Sequence, residues 1–214
     1  MVEIKSFTFN PFMENTYVLF DELKEAVIID PGCYEPEEQE MLTDFIAEQN
    51  LQPKALLNTH CHLDHVLGNA FVQKTYGIPL LIGDKELETL NAVEAYAPSY
   101  GFQQYQTSTP DQLLSESDKI QFGNTTLYNV FVPGHAPGHI AFYDATKQFI
   151  IGGDVLFEGS IGRTDLPGGD LNTLITSIHS KFFTFPDETV VYSGHGMPTT
   201  IGREKSSNPF CGIK

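Results

Sequence analysis

The chain has 214 residues, 41% hydrophobic and 12% aromatic, enough to fill the core of one ordinary domain and too many for a disordered chain. Its 28 acidic residues against 12 basic ones give a formal charge of -16, and no Lys/Arg cluster interrupts it, which argues against nucleic acid and anionic membrane surfaces as partners. No apolar run approaches the ~20 residues that span a bilayer, the alternating N-terminus is a strand pattern and not a signal peptide, and three cysteines (Cys33, Cys61, Cys211) are too few for a disulfide framework.

A cytoplasmic protein forming one domain over 1–214 is therefore expected. Residues 2–9 alternate, 16–20 are short and β-rich, and 26–30 form an apolar run closed by Asp30-Pro31-Gly32, so three strands are predicted. Pro36 stands at a predicted first helical position, with Glu37 and Glu38 suiting the helix dipole. Met41, Leu42, Phe45 and Ile46 then give that helix one apolar face. A buried-type strand over 55–59 leads straight into Thr-His-Cys-His-Leu-Asp-His (59–65). A helix is predicted from about Asp64 to Tyr76, and a strand over 78–83. Residues 91–112 carry Tyr96, Tyr100, Phe102 and Tyr105 with little periodicity and read as one long irregular segment. Strands follow as hairpins at 119–132 and 140–152. Asp170 is a predicted cap for a helix whose apolar face is Leu171, Leu174, Ile175, Ile178 and Phe182, and the strand at 189–193 ends the predicted regular structure. Two strand-rich halves with amphipathic helices predict an α+β fold, a four-layer αββα sandwich.

The rare residues carry the chemistry. His60, His62, Asp64 and His65 lie within six residues at a strand exit. Alternate side chains share a face there, so His60 and His62 can converge on one cation, while Asp64 and His65 swing toward a second position. Imidazole and carboxylate are donors that zinc, manganese and iron accept. Cys61, between the two histidines, points away and packs as a small apolar group. Six residues cannot complete two coordination spheres. His135, Asp154 and His195 stand at strand ends beside glycines, where the backbone can crowd a site, and are the further candidate donors.

The succession THCHLDH, PGHAPGH, GGDVLF and SGHG resembles the metallo-β-lactamase fold superfamily, and GGDVLFEGSIGRTDLPGGD looks like its glyoxalase II-type branch. The resemblance runs from the opening strands to His195 and implies the αββα sandwich, a dinuclear site at one edge and hydrolase chemistry. By matching motifs, one metal takes His60, His62 and His135, the other takes Asp64, His65 and His195, and Asp154 bridges them. The implied cofactor is two divalent metal ions, zinc foremost, with iron and manganese as alternatives. Asp30 matches an acidic position often found beside these ligands, where it accepts a histidine N–H; a plain turn aspartate is the other reading. His139 is expected to support the site and not to ligate, and His179 to be an ordinary helix residue.

Two cations ~3.5–4 Å apart can share a water and acidify it toward hydroxide, and Asp64 could orient that nucleophile. A thiolate, with a solution pKa of ~8.5, departs unprotonated, whereas an amine must first be protonated, so a small-molecule thioester or ester is the expected substrate. In glyoxalase II a lysine nine residues after the bridging aspartate contacts the glutathione carboxylate; here that position is Arg163, suited to bidentate carboxylate binding. Two family tyrosines are replaced by Asp165 and Met197, and the C-terminal helical domain is expected to be absent. The tail at 202–210, with Arg203 and Lys205, either compensates or is solvated.

Rival readings share the motifs. Persulfide dioxygenases resemble the chain as far as GRTD at 162–165 and use a single iron on residues matching His60, His135 and Asp154. A metal-binding redox module of flavodiiron type would carry Glu at the second histidine of the motif and a flavodoxin domain. A β-lactamase would lack the His65 equivalent, and a nuclease would need a basic surface.

Overall fold

Each half of the chain builds one six-stranded sheet in the computed structural model, which describes residues 1–213. In the first, β1 (Glu3–Phe9), β2 (Glu14–Phe20), β3 (Glu25–Ile29), β4 (Gln52–Leu57), β5 (Leu80–Gly83) and β6 (Gln112–Leu114) lie side by side in that order. The first three pair antiparallel, and β3 to β6 pair parallel. Parallel neighbours need crossovers. These are supplied by α1 (Pro36–Glu48), by α2 (Leu63–Val66) with α3 (Asn69–Tyr76), and by α4 (Leu87–Tyr96).

The second sheet contains β7 (Lys119–Phe122), β8 (Thr125–Phe131), β9 (Ile140–Asp144) and β10 (Phe149–Gly153) as antiparallel neighbours. A small hairpin, β11 (Leu156–Phe157) and β12 (Ser160–Ile161), and helix α5 (Leu171–Ser180) come next. Then β13 (Val190–Ser193) returns parallel to β10, β14 (Thr199–Thr200) takes the edge, and α6 (Ile201–Ser207) follows.

Alternation along the strands sorts the side chains into layers. Val18, Phe20, Ile28 and Leu56 face outward against Leu42 and Ile46 of α1 and Leu90 and Val93 of α4. Their neighbours Leu19, Val27, Ile29 and Leu57 face inward and meet Ile120, Phe122, Phe142 and Ile151 of the other sheet. On the far side, Ile150 and Val191 pack against Leu174 and Ile178 of α5. Each such buried side chain is worth about 1.5–3 kcal/mol, and a one-residue slip would expose a whole row, so the register is firmly set. This is the predicted αββα sandwich. Pro36 opens α1 as expected, and the Asp170 side chain caps α5 by accepting from Thr173 N–H at 2.7 Å.

Three sequence expectations need correction. The helix predicted over 64–76 is two helices, broken at Leu67-Gly68. There Gly68 N–H donates to Pro31 O at 2.7 Å, and a Cβ would stand 2.6 Å from Cys33 Sγ, so contact with the β3–α1 loop interrupts the helix. Residues 91–112 are not one irregular segment: α4 runs into a 3-10 turn (Ala97–Tyr100), ends at Gly101 with φ 97°, and is followed by β6. The buried positions Leu90, Val93 and Ala97 do keep helical spacing, but the face begins ahead of residue 91. Regular structure also continues past 193. Within α6, buried Glu204 accepts from Thr199 Oγ1 and Gly159 N–H, while Arg203 pairs with Glu158 and Lys205 with Asp187.

Candidate metal centre

The seven candidate donors follow the C-terminal ends of β4, β8, β10 and β13, where both sheets open at one edge of the sandwich. Extended backbone at His62 (φ -69°, ψ 155°) precedes α2, so His60 and His62 project from a strand-like exit and Asp64 and His65 from the first helical turn. The glycines beside the donors allow close approach. Gly194 has Asp154 Oδ1 2.2 Å from where a Cβ would be, and Gly153 bends the chain into Asp154 with φ 51°.

Two clusters result. His62 Nδ1 stands 2.9 Å from His135 Nε2, which stands 3.2 Å from His60 Nε2. In the other cluster, His195 Nε2 is 3.2 Å and His65 Nε2 3.7 Å from Asp64 Oδ2. Asp154 lies between them, with Oδ2 3.6 Å from His135 Nε2 and 3.5 Å from His195 Nε2, and Oδ1 3.6 Å from His65 Nε2.

Hydrogen bonds on the far side of the rings explain which nitrogen faces inward. The Nδ1 atoms of His60, His65, His135 and His195 meet Thr59 Oγ1, Asp30 Oδ2, Arg163 O and Phe12 O at 2.7–3.2 Å, which leaves each Nε2 toward the centre. Only His62 points Nδ1 inward. Asp30 therefore stands where the sequence reading places it, and it also accepts from Thr59 N–H and Oγ1 at 2.7 and 2.6 Å. His139 stacks on His60, and its Nε2 accepts from the Asp154 N–H at 3.1 Å. It lies outside the inward-facing donor set. His179 lies far from the clusters in the chain's outer helix, bonded to Cys211 O, and Cys61 is fully buried.

The donor set fits a pair of cations. Three imidazole nitrogens crowd together, and burial holds His60 well below the usual histidine range and His62 down to about 3, so these rings present lone pairs. At the other cluster burial disfavours charge, yet Asp64 and Asp154 outweigh it: His65 is raised well above its usual range and His195 to about 10. Reciprocally, His65 and His195 overcome burial and hold the Asp154 and Asp64 carboxyls low. The carboxylates thus attract positive charge, and the buried atoms Asp154 Oδ1 and His65 Nε2 have no hydrogen-bond partner among the described residues. A metal ion would satisfy both.

Some of the supporting residues gave no signal in the sequence. Glu14, at the start of β2, is fully buried 3.9 Å from His65 Nδ1; burial pushes its carboxyl well above the usual carboxylate range. Asn15 and Tyr17 on the same strand donate to Ser193 O, and Asn15 also to Gly196 O, fastening the loop that carries His195. A polar Glu-Asn-Thr run looks like an exposed strand end until topology buries it.

The clusters open into a cleft of about 1560 Å³. Tyr96, Tyr100, Phe12, Phe157 and Met197 give it apolar walls, and Arg163 and Lys85 reach it from the rim. The Arg163 side chain is exposed and paired bidentately with Asp165 at 2.7 and 2.8 Å. Phe102 and Tyr105, in contrast, pack into the outer core and away from the cleft lining.

Residues 9–195 match the family model of the Metallo-beta-lactamase superfamily. The chain is 38% identical over 205 residues to the Haemophilus influenzae protein named hydroxyacylglutathione hydrolase GloC, covering 95% of each. The crystal structure of BLEG-1 B3 metallo-beta-lactamase superposes with a TM-score of 0.89 at 39% identity, covering 98% of this chain and 99% of that one. TTHA1623, crystallised in a di-iron-bound form, superposes with a TM-score of 0.86 at 35% identity, covering 96% of this chain and 99% of that one. Fold, motif order and paired donor clusters agree: the chain belongs to the metallo-β-lactamase superfamily and has the metal-binding clusters of its metal-dependent hydrolases.

Proposed function

We propose that the protein is a dinuclear hydrolase of small thioesters, of glyoxalase II type. Asp154 carries the reading, because its oxygens lie within 3.6 Å of His135 in one cluster and of His65 and His195 in the other, and Oδ1 has no hydrogen-bond partner among the described residues. His60, His62 and His135 would hold one divalent cation and Asp64, His65 and His195 the second, with Asp154 placed to serve both. Zinc, iron and manganese all suit these donors. When bound, the pair supplies an acidified water and an electrophilic rest for a carbonyl oxygen.

The residues of the chain do the remainder. Asp64, at the cleft floor, orients the nucleophile, Tyr96 and Tyr100 offer an apolar wall to the acyl group, and Arg163 exchanges Asp165 for a substrate carboxylate. As ligands of the cations, Asp64 and Asp154 would be ionised and therefore poor proton donors. A leaving group that needs no proton, a thiolate, suits such a site. The hydroxyacylglutathione hydrolase relative at 38% identity supports this choice.

The likeness to BLEG-1 favours β-lactam hydrolysis as a second reading. An amide nitrogen must be protonated to depart, and the ionised carboxyls argue against it. Metal analysis of the purified protein, with assays on S-D-lactoylglutathione, a chromogenic cephalosporin and glutathione persulfide, separates the readings. We expect two metals per chain and kcat/KM about 100-fold higher for the thioester than for the β-lactam. A β-lactam preference establishes the second reading; a single iron with oxygen uptake establishes a dioxygenase.

A further inference from the structure

We propose that Glu86 is a positioning residue that sets the spacing of the His60–His62–His135 cluster, an inference that rests on reading those histidines as metal ligands. Glu86 ends the 3-10 turn Asp84–Glu86 between β5 and α4, outside both donor clusters, and is fully buried. Its Oε2 accepts from Cys61 N–H at 2.8 Å and its Oε1 from Gly138 N–H at 2.6 Å. Cys61 sits between His60 and His62, and Gly138 lies three residues after His135. One carboxylate thus spans the two loops that supply every donor of this cluster.

The packing around it is equally tight. A Cβ on Gly83 would fall 2.2 Å from Gly138 O, and a Cβ on Gly138 2.7 Å from Glu86 N, so the His135 loop is seated directly on this turn. Among the described residues no cation pairs with Glu86. Burying a carboxylate without one is costly and raises the Glu86 carboxyl above its ordinary range, and the Cys61 and Gly138 N–H bonds, with the Thr89 side chain, offset part of that cost. Such a group is specific for two converging donors, because both its ends accept. A glutamine would turn an NH2 against one of the N–H groups, and an apolar residue would leave both unbonded.

The spacing it sets matters because metal–nitrogen bonds of ~2.0–2.1 Å tolerate little displacement of the rings. The inward nitrogens of this cluster lie 2.9 and 3.2 Å apart, already within reach of one centre. Separation of the loops by an ångström would remove a ligand. Glu86 also starts α4, so the same residue registers the metal loops against the cleft wall that carries Tyr96.

The test is E86Q, with both metal equivalents titrated against a competing chelator and folding followed by near-UV circular dichroism. We expect one equivalent to weaken by about tenfold or more and the other to change less than about twofold, with kcat recovering at saturating metal. Parent affinity at both equivalents, or equal weakening of the two, overturns the role. If E86Q does not fold, amide exchange in the unaltered protein decides. Slow exchange at both Cys61 and Gly138 supports the strut, and fast exchange at either overturns it. A parent chain that binds fewer than two metals refutes the dinuclear reading instead, and the exchange result still decides whether Glu86 joins the loops.

Discussion

Asp154 concentrates the consequences of the site at one residue. Two cations close together repel, and a carboxylate between them is the group that offsets the repulsion. Asp154→Ala is expected to lose at least one metal per chain and to lower kcat by about 100-fold or more. Metal analysis beside the thioester assay checks this; parent-like metal content and rate would refute the bridging role. The histidines predict a pH dependence for the metal-free protein. Burial keeps His62 at about 3, so only the unfolded chain takes up this proton below its ordinary value of about 6.5. That contribution to stability is present above pH 6.5 and is lost as the pH falls toward 3. His195 behaves oppositely. Burial disfavours its charge, but hydrogen bonds to Asp154 and Asp64 raise it to about 10, so its contribution is complete below about pH 6.5 and is lost as the pH rises through 10. Chelator-treated protein should therefore melt highest near pH 6.5 and lower on either side. His195→Gln should make the alkaline flank shallower, since His65, also raised, still contributes there, and keep the acid one, and a parent melting profile that rises steadily from pH 5 to 9 would contradict the assignment. The donors were legible because histidine is scarce here and its spacing is informative, with only 7 in the chain. Glu14 and Glu86 were not, since 28 acidic residues hide two whose burial only the tertiary fold decides.

Elements were legible where a helical period or an apolar, β-rich run went uninterrupted, as in α1 and α5 and in β2 and β3. They were not where a long-range contact cut the period. Gly68 breaks a helix because the Pro31–Cys33 backbone reaches it from another element, and no local pattern reports such a contact. The segment after β5 shows how much a helix changes the meaning of neighbouring aromatics. Tyr100 closes the 3-10 turn, is 57% exposed and lines the cleft, whereas Phe102, two residues on, is buried between Phe12 and Tyr34. Their substitutions should separate cleanly. Tyr100→Ala is expected to raise KM for a thioester about three- to tenfold with an unchanged melting temperature and metal content. Phe102→Ala should cost about 3–5 kcal/mol of stability. Denaturant melts and steady-state kinetics on the two variants check this. If Tyr100→Ala leaves KM unaltered, the wall of the acyl pocket lies elsewhere.

At the scale of the molecule, alternation foretold two sheets but not their strand order. The parallel pairs β3–β4 and β10–β13 are set by crossovers through helices, and the residues of a strand do not name its neighbour. Charge, however, is a whole-molecule property that the sequence states directly. At -16 the protein repels anions at long range, and two bound divalent cations would offset only a quarter of that. The cleft rim does little to reverse the field, since Lys85 and Arg163 share it with Asp84, Glu88 and Glu158, and Arg163 is already paired with Asp165. An anionic thioester such as S-D-lactoylglutathione must therefore approach against the potential, while a neutral thioester does not. Salt shortens the reach of that field from about 30 Å at 0.01 M to about 10 Å at 0.1 M. We expect kcat/KM for the anionic substrate to rise about two- to fivefold over that range, with a neutral thioester nearly unaffected. Stopped-flow or initial-rate measurements on the two substrates at matched pH read the difference. A fall with salt for the anionic substrate alone would place its capture under the local cations, Arg163 foremost, and outside the control of the molecule's net charge.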